Sequence, residues 1–97
     1  MALVAVTDHA VERYGQRVRG TLDPRTEVAA RVGQAVDRGR VTPGERGAIN
    51  VRDVERPDLV YVCMHDRPRG ELVVVTLWEE GEAPEVPKQF TDALRRR

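Results

Sequence analysis

The sequence predicts an α+β domain in which two N-terminal helices pack on one face of an antiparallel sheet of three or four strands. Apolar residues recur at helical spacing through residues 8–38, and the spacing changes to two residues, typical of strands, near residue 48. Glycines and prolines separate these segments, as expected of turns. A length of 97 residues suffices for one core, so we expect a single domain over residues 1–80.

The N-terminal segment predicts the first helix. Residues 3–6 are apolar and predict either a strand or a packed N-terminal arm. Thr7 or Asp8 can accept a hydrogen bond from the first helical turn, so the helix begins there. It ends near Val18, because Gly20 follows within a turn-like sequence.

The second helix has clearer boundaries. Asp23 is a favourable N-cap, Pro24 suits the first helical position, and Gly39 ends the helix. An apolar stripe about 120° wide, as expected of a side that faces a core, is formed by Val28, Ala29, Val32, Ala35 and Val36.

The remaining elements are predicted strands. Residues 42–47 predict a loop and residues 48–52 a strand. Two longer strands, 59–65 and 71–78, flank the turn-forming residues 66–70, which is the pattern of a hairpin.

The hairpin register decides which face meets the helices. If Asp66 faces Glu71, one face is wholly aliphatic and is expected to cover the helices; it comprises Val60, Val62, Met64, Val73, Val75 and Leu77. We therefore expect Val62→Asp to unfold the domain. The other face is mixed, and it comprises Leu59, Tyr61, Cys63, His65, Leu72, Val74, Thr76 and Trp78, joined by Asn50 and Arg52. A slip of one residue would exchange the two faces.

Composition limits the function. The 16 basic and 16 acidic residues give zero net charge, so there is no overall basic signature of nucleic-acid binding. The tail, residues 81–97, predicts an acidic, proline-containing linker followed by a short helix between Pro87 and Leu94. The chain has a single cysteine, Cys63, which cannot form an internal disulfide and is expected to be inert.

No cofactor or metal is expected, because neither metal-ligand spacing nor a glycine-rich phosphate loop occurs. The sequence shows no signal peptide and no apolar run long enough to span a membrane. We therefore expect a cytoplasmic protein that does not enter membranes.

The first helix is the most distinctive segment. At helical spacing, His9, Arg13, Gln16 and Arg17 lie along one side, within about 100° of arc. If the aliphatic side is buried, solvent meets an imidazole and two guanidiniums. Such a side is suited to bind a phosphate or another anion.

A family resemblance rests on this helix and on two strands. Residues 8–17 read Asp-His-Ala-x-x-Arg-Tyr-x-x-Arg, and the strand segments 61–63 and 72–78 follow. Over roughly residues 5–79 the chain resembles small bacterial and phage proteins similar to the RelE/BrnT-like toxin ribonucleases. The resemblance implies helices on one face of the sheet and an RNA-binding or RNA-cutting concave face on the other.

A metal-free ribonuclease needs a base, an acid and a cation that stabilises the phosphorane. His9 is a candidate for either proton role, and Tyr61 or His65 for the other. The candidate catalytic residues are His9, Arg13, Arg52, Tyr61 and His65. The candidate binding residues are Arg17, Leu59, Thr76 and Trp78.

The alternative is that the chain is a non-catalytic protein, encoded by a phage or mobile element, whose function is to bind and modulate a host protein. The neutral net charge and the acidic tail favour this alternative. The expected partner is therefore RNA or a protein, either an antitoxin or a host protein. The mixed sheet face, with Leu59, Tyr61 and Trp78, is the predicted binding surface or homodimer interface.

Overall fold

The computed structural model of the chain describes residues 3–81 and has an α+β fold. The elements in chain order are β1 (Leu3–Val6), α1 (Asp8–Arg17), α2 (Pro24–Asp37), β2 (Val41–Pro43), a 3₁₀ turn (Glu45–Gly47), β3 (Ile49–Arg52), β4 (Leu59–Asp66) and β5 (Glu71–Glu79). The predicted tail helix and almost all of the predicted linker lie outside the described residues. Neither helix in the described range has the length and apolar character needed to cross a bilayer.

Both helices begin at side-chain caps. The Thr7 hydroxyl accepts a hydrogen bond from the Ala10 N–H at 3.1 Å, which makes Thr7 rather than Asp8 the N-cap of α1. Asp23 caps α2 as predicted. Gly39 follows the end of α2 with φ of +73°, a conformation that glycine adopts without steric cost.

The sheet has five strands in the order β1-β5-β4-β3-β2. Strands β2 to β5 pair antiparallel, as predicted, but β1 pairs parallel with β5. The expectation of three or four strands, all antiparallel, was therefore too low in number and wrong in direction for β1. Of the two strands that the sequence did not assign firmly, β1 has four residues and was expected as either a strand or a packed arm, whereas β2 has three residues and overlaps the predicted loop 42–47.

The hairpin register agrees with the prediction only near the turn. Pairing runs from Asp66 opposite Glu71 to Cys63 opposite Val74, as expected. Val75 is then skipped by a β-bulge, which shifts the rest of the ladder by one residue.

The bulge changes the pairing in the upper half of the hairpin. Val62 pairs with Thr76 and Val60 pairs with Trp78, whereas the predicted partners were Val75 and Leu77. As a result, Trp78 shares a face with Val60 rather than with Leu59, its predicted partner.

The core lies between the two helices and one sheet face, which we call the helix-covered face. The fully buried cross-strand row Val51, Tyr61 and Leu77 belongs to it. Other members of the same buried cluster are Val6, Ala10, Tyr14, Val28, Val32, Ala35, Leu59, Cys63, Leu72 and Val74. On β4, the predicted face assignment was therefore reversed: the helices pack on the side with Tyr61, while Met64 is 38% exposed on the other side.

Candidate functional site

The sheet side opposite the helices, which we call the open face, is defined by two cross-strand rows. Arg52, Val60 and Trp78 form one row, since each pairs with the next across β3, β4 and β5. The second row, two residues further along each of the shared strands, comprises Thr42, Asn50, Val62 and Thr76. Residues two apart on a strand point to the same side, so both rows lie on one surface.

A cleft of about 330 Å³ lies at the β2 side of this surface. We call it the Trp78 cleft, and its lining residues are Gly39, Arg40, Val41, Thr42, Asn50, Arg52, Val60 and Trp78. Its volume is at the lower end of the range of small-molecule pockets, roughly 300–1,000 Å³. The side chains around it are therefore close enough to contact one small ligand group together.

The two arginines of the cleft differ in their partners. The Arg52 guanidinium donates to the Pro57 carbonyl and to the Glu80 carboxylate, so its position is fixed and its charge is largely balanced. The exposed Arg40 side chain makes no hydrogen bond or ion pair with any residue from 3 to 81. The backbone places the two together, because the Arg52 N–H donates to the Arg40 carbonyl at 3.0 Å.

These groups are of the types that recognise nucleotides. An indole offers a stacking surface to any base, and amide and hydroxyl side chains can hydrogen-bond base edges. A guanidinium binds phosphate through directed hydrogen bonds. Trp78, Asn50, Thr42 and Arg40 supply these four functions around one cleft.

The helix-covered face contains a buried polar network centred on Asp53, which is 1% exposed. Its carboxylate accepts from the Tyr61 hydroxyl at 2.6 Å and from Arg31 Nη1 at 3.1 Å to each oxygen. It also accepts from the N–H groups of Glu55 and Arg56, at 2.8 and 2.9 Å. Burial alone would raise the pKa of Asp53, but these hydrogen bonds and the Arg31 charge outweigh burial and lower it.

The same network extends to α1. The Tyr14 hydroxyl donates to Glu27, which also accepts from the Thr21 hydroxyl at 3.2 Å. Arg31 lies between Glu27 and Asp53, with its Nε 3.9 Å from Glu27 Oε2. Burial, followed by the hydrogen bond to the Glu27 carboxylate, raises the pKa of Tyr14. The network therefore joins both helices to the sheet with its partners already satisfied.

Two predicted site residues lie in this core. Tyr61 and Leu59 are fully buried on the helix-covered face, so the expectation that they form an open binding or dimer surface with Trp78 was wrong. Burial and the hydrogen bond to Asp53 raise the pKa of Tyr61, which leaves its hydroxyl unsuited to proton transfer with a ligand. Thr76, Trp78 and Arg52 lie on the open face instead.

Arg13 and Arg17 attach α1 to the edge of β5. Strand β1 stops pairing at Val74, and α1 then runs beside the free carbonyls of β5. Arg13 Nε donates to the Leu77 carbonyl at 3.0 Å, and Arg17 Nε lies 3.7 Å from the Glu79 carboxylate. On the predicted anion-binding side of α1, the two arginines are thus directed at the sheet edge, whereas His9 and Gln16 are exposed.

The two histidines lie apart from the Trp78 cleft. His9 is exposed on α1, within the helical layer. His65 is exposed near the hairpin turn, where it lines a separate cleft with Val36 of α2. Of the five predicted catalytic residues, only Arg52 lines the Trp78 cleft.

Sequence reasoning missed Arg40 and Thr42 as site residues, although Asn50 was placed beside Arg52. The missing signal was β2, which is too short to show a period of two residues. Sequence reasoning also did not predict that Asp53 is buried and accepts hydrogen bonds from Arg31.

Cys63 is buried, which raises the pKa of its thiol to about 12. The thiolate required of a nucleophile is therefore disfavoured near neutral pH. Among residues 3–81, no three histidine, cysteine, aspartate or glutamate side chains cluster as a metal site requires. Comparisons of the chain with protein-family models, curated proteins and solved structures found no match.

Proposed function

We propose that the protein binds single-stranded RNA on its open face, with the Trp78 cleft as the principal contact. The observation that supports this most directly is the cleft itself, where an indole, an amide, a hydroxyl and guanidiniums line one surface that the helices leave uncovered. The resemblance to RelE/BrnT-like toxin ribonucleases supports RNA on the same side of the sheet. A single strand fits better than a duplex, because stacking on Trp78 requires an unpaired base.

The proposal is of binding and includes no cleavage step. Tyr61 is buried against Asp53 and has no access to a ligand on the open face. His9 and His65 do not line the cleft, so no imidazole stands beside Arg52 there. Among the described residues that line the cleft, none carries an imidazole or a carboxylate that could accept a 2′-hydroxyl proton, and the nearby Glu80 carboxylate is held by Arg52.

The test is fluorescence polarisation with a fluorescein-labelled single-stranded RNA of twelve nucleotides at low salt. Trp78→Ala is expected to weaken binding roughly 5- to 150-fold, because base stacking on an aromatic side chain contributes about 1–3 kcal/mol. Trp78→Phe, which keeps an aromatic surface, should recover most of the affinity.

The matched control is Tyr61→Phe, which changes an aromatic residue on the helix-covered face and should leave RNA affinity unchanged. After incubation, the labelled RNA should run intact on a denaturing gel. Equal affinity of wild type and Trp78→Ala would exclude the cleft as the binding site. Cleavage that His9→Ala abolishes would instead support the endoribonuclease interpretation.

A second candidate function, binding of a protein such as an antitoxin or host protein, is favoured by the other half of the open face. There Val62, Met64 and Val73 form an aliphatic surface, and Met64 is 38% exposed. This aliphatic surface is bordered on the same face by the carboxylates of Asp66 and Glu71, a combination that suits a protein interface better than a phosphate backbone. If wild-type protein fails to bind any RNA at low salt, this second function becomes the preferred one.

A further inference from the structure

We propose that the Trp78 cleft takes one nucleotide carrying a single phosphate, either a free nucleoside monophosphate or the end of an RNA strand. This inference rests on the proposed function and narrows it from single-stranded RNA in general to a terminal nucleotide unit. Three features of the described residues support it: the width of the cleft, the number of uncommitted cations, and the carboxylates at one end.

The width of the cleft fits one base. Trp78 on β5 and Arg52 on β3 lie in the same cross-strand row, with Val60 of β4 between them. Neighbouring strands are spaced by about 4.8 Å, so these two side chains start about 10 Å apart. A base held between them therefore contacts the indole on one side and the guanidinium on the other, while Val60 beneath is itself buried, with 2% exposure. The volume of about 330 Å³ is large enough for one nucleotide.

The charge of the cleft fits one phosphate. The guanidinium of Arg52 is held by Glu80 and the Pro57 carbonyl, and so it adds little net charge. Arg40 is the lining cation without an ion pair among residues 3–81. The Arg52 N–H donates to the Arg40 carbonyl, which places Arg40 at the β2 side. The phosphate is therefore expected there, with the base directed towards Trp78.

Carboxylates limit how the ligand continues. Glu80 lies beside Arg52 with 52% of its side chain exposed, and its N–H donates to the Asp58 carbonyl at 2.8 Å. The Asp58 side chain is 47% exposed at the same end of the sheet. Arg52 pairs with Glu80, and Arg56 pairs with Asp58 and Glu79, so neither arginine at this end is left to hold a further phosphate of a strand that passes through the cleft. The ligand therefore ends in the cleft rather than crossing it.

The experiment follows the emission of Trp78, the single tryptophan of the chain. The full-length protein is titrated with adenosine, adenosine 5′-monophosphate, adenosine 5′-triphosphate and two twelve-nucleotide RNAs, one linear with a 5′-phosphate and one covalently circular. We expect the monophosphate to bind at least tenfold more tightly than the nucleoside, and the triphosphate to bind no more tightly than the monophosphate.

Salt dependence and one variant complete the test. The logarithm of the association constant of the linear RNA should fall with the logarithm of salt with a slope near −0.7, the value for about one phosphate of a single strand. Arg40→Ala should abolish the difference between monophosphate and nucleoside. Arg38→Ala, which removes a nearby exposed arginine that does not line the cleft, should preserve it.

The outcomes separate this inference from the proposed function. If circular RNA binds as tightly as linear RNA, or the slope is −3 or steeper, the terminal-nucleotide inference is wrong while RNA binding stands. If the linear RNA binds but the monophosphate binds no more tightly than adenosine, the inference is likewise overturned. If neither the RNAs nor the nucleotides change Trp78 emission or bind by polarisation, the proposed function itself fails.

Discussion

The two faces of the sheet carry similar residue types in opposite states. On the helix-covered face, Tyr61, Asp53 and Arg31 satisfy one another, and no buried side-chain nitrogen or oxygen in the described range lacks a partner. On the open face, Trp78 and Arg40 line a cleft, and Arg40 has no ion pair among residues 3–81. The comparison shows that residue type alone does not identify a site, because the same groups stabilise the core when their hydrogen bonds are satisfied and are available to a ligand when they are not.

The sharpest test of this comparison uses two adjacent residues of β4. Cys63→Asp places a carboxylate in the core, where burial without a partner costs several kcal/mol, about the whole stability of a domain of this size. We expect this variant to be unfolded by circular dichroism. Val62→Asp points to the open face and should remain folded, with a cooperative thermal transition.

This pair directly reverses the expectation from the sequence that Val62→Asp unfolds the domain. The two variants introduce the same side chain one residue apart, so propensity and expression affect them alike. An unfolded Val62→Asp together with a folded Cys63→Asp would show that the helices pack on the other face.

The helices were predictable because their signals are local. Asp23, Pro24 and Gly39 define α2 through hydrogen bonding and backbone geometry that depend on a few neighbouring residues. For the same reason, the change to strand periodicity correctly located β3, β4 and β5. The short β2 gave no such signal, because three residues do not establish a period.

The sheet faces were not predictable from β4 and β5, because both sides of this hairpin are rich in apolar residues. The alternation that normally distinguishes an inner from an outer face is therefore missing. The bulge at Val75 also shifts the β4–β5 register by one residue, and this shift depends on strand pairing rather than on composition. Since the site was predicted from the faces, Leu59 and Tyr61 were placed on a surface, whereas Arg40 was not considered.

The second prediction concerns the buried polar network and has a smaller expected effect. Asp53→Ala leaves Arg31, Tyr61 and two backbone N–H groups without their acceptor. We expect a loss of about 3 kcal/mol in the free energy of unfolding, a cost typical of breaking one partner of a buried ion pair, reduced by the partial exposure of Arg31. The corresponding fall in Tm is roughly 10–25 °C, measured by circular dichroism.

Glu55→Ala is the matched control, because Glu55 also faces Arg31, at 3.5 Å, but is 66% exposed. It should change the free energy of unfolding by less than about 0.5 kcal/mol.

The pH dependence of stability gives an independent check of the Asp53 network. Folding lowers the pKa of Asp53, so its contribution is present above its unfolded pKa of about 3.9 and is lost as pH falls through the folded value. The stability difference between wild type and Asp53→Ala should therefore narrow below about pH 4; a difference that grows there would contradict the assignment.

The smallest effect is expected at the edge between the two faces, where Arg13 covers β5. Arg13→Ala removes the donor to the Leu77 carbonyl and should cost about 1 kcal/mol, or roughly 4–8 °C in Tm. Gln16→Ala, an exposed position on the same helix, should leave Tm unchanged. RNA affinity should be unaffected by Arg13→Ala, because Arg13 belongs to the helical layer and not to the cleft. A variant with normal Tm but weakened RNA binding would instead favour the sequence-based interpretation, in which α1 itself holds the phosphate, and would place RNA on the helical side of the sheet.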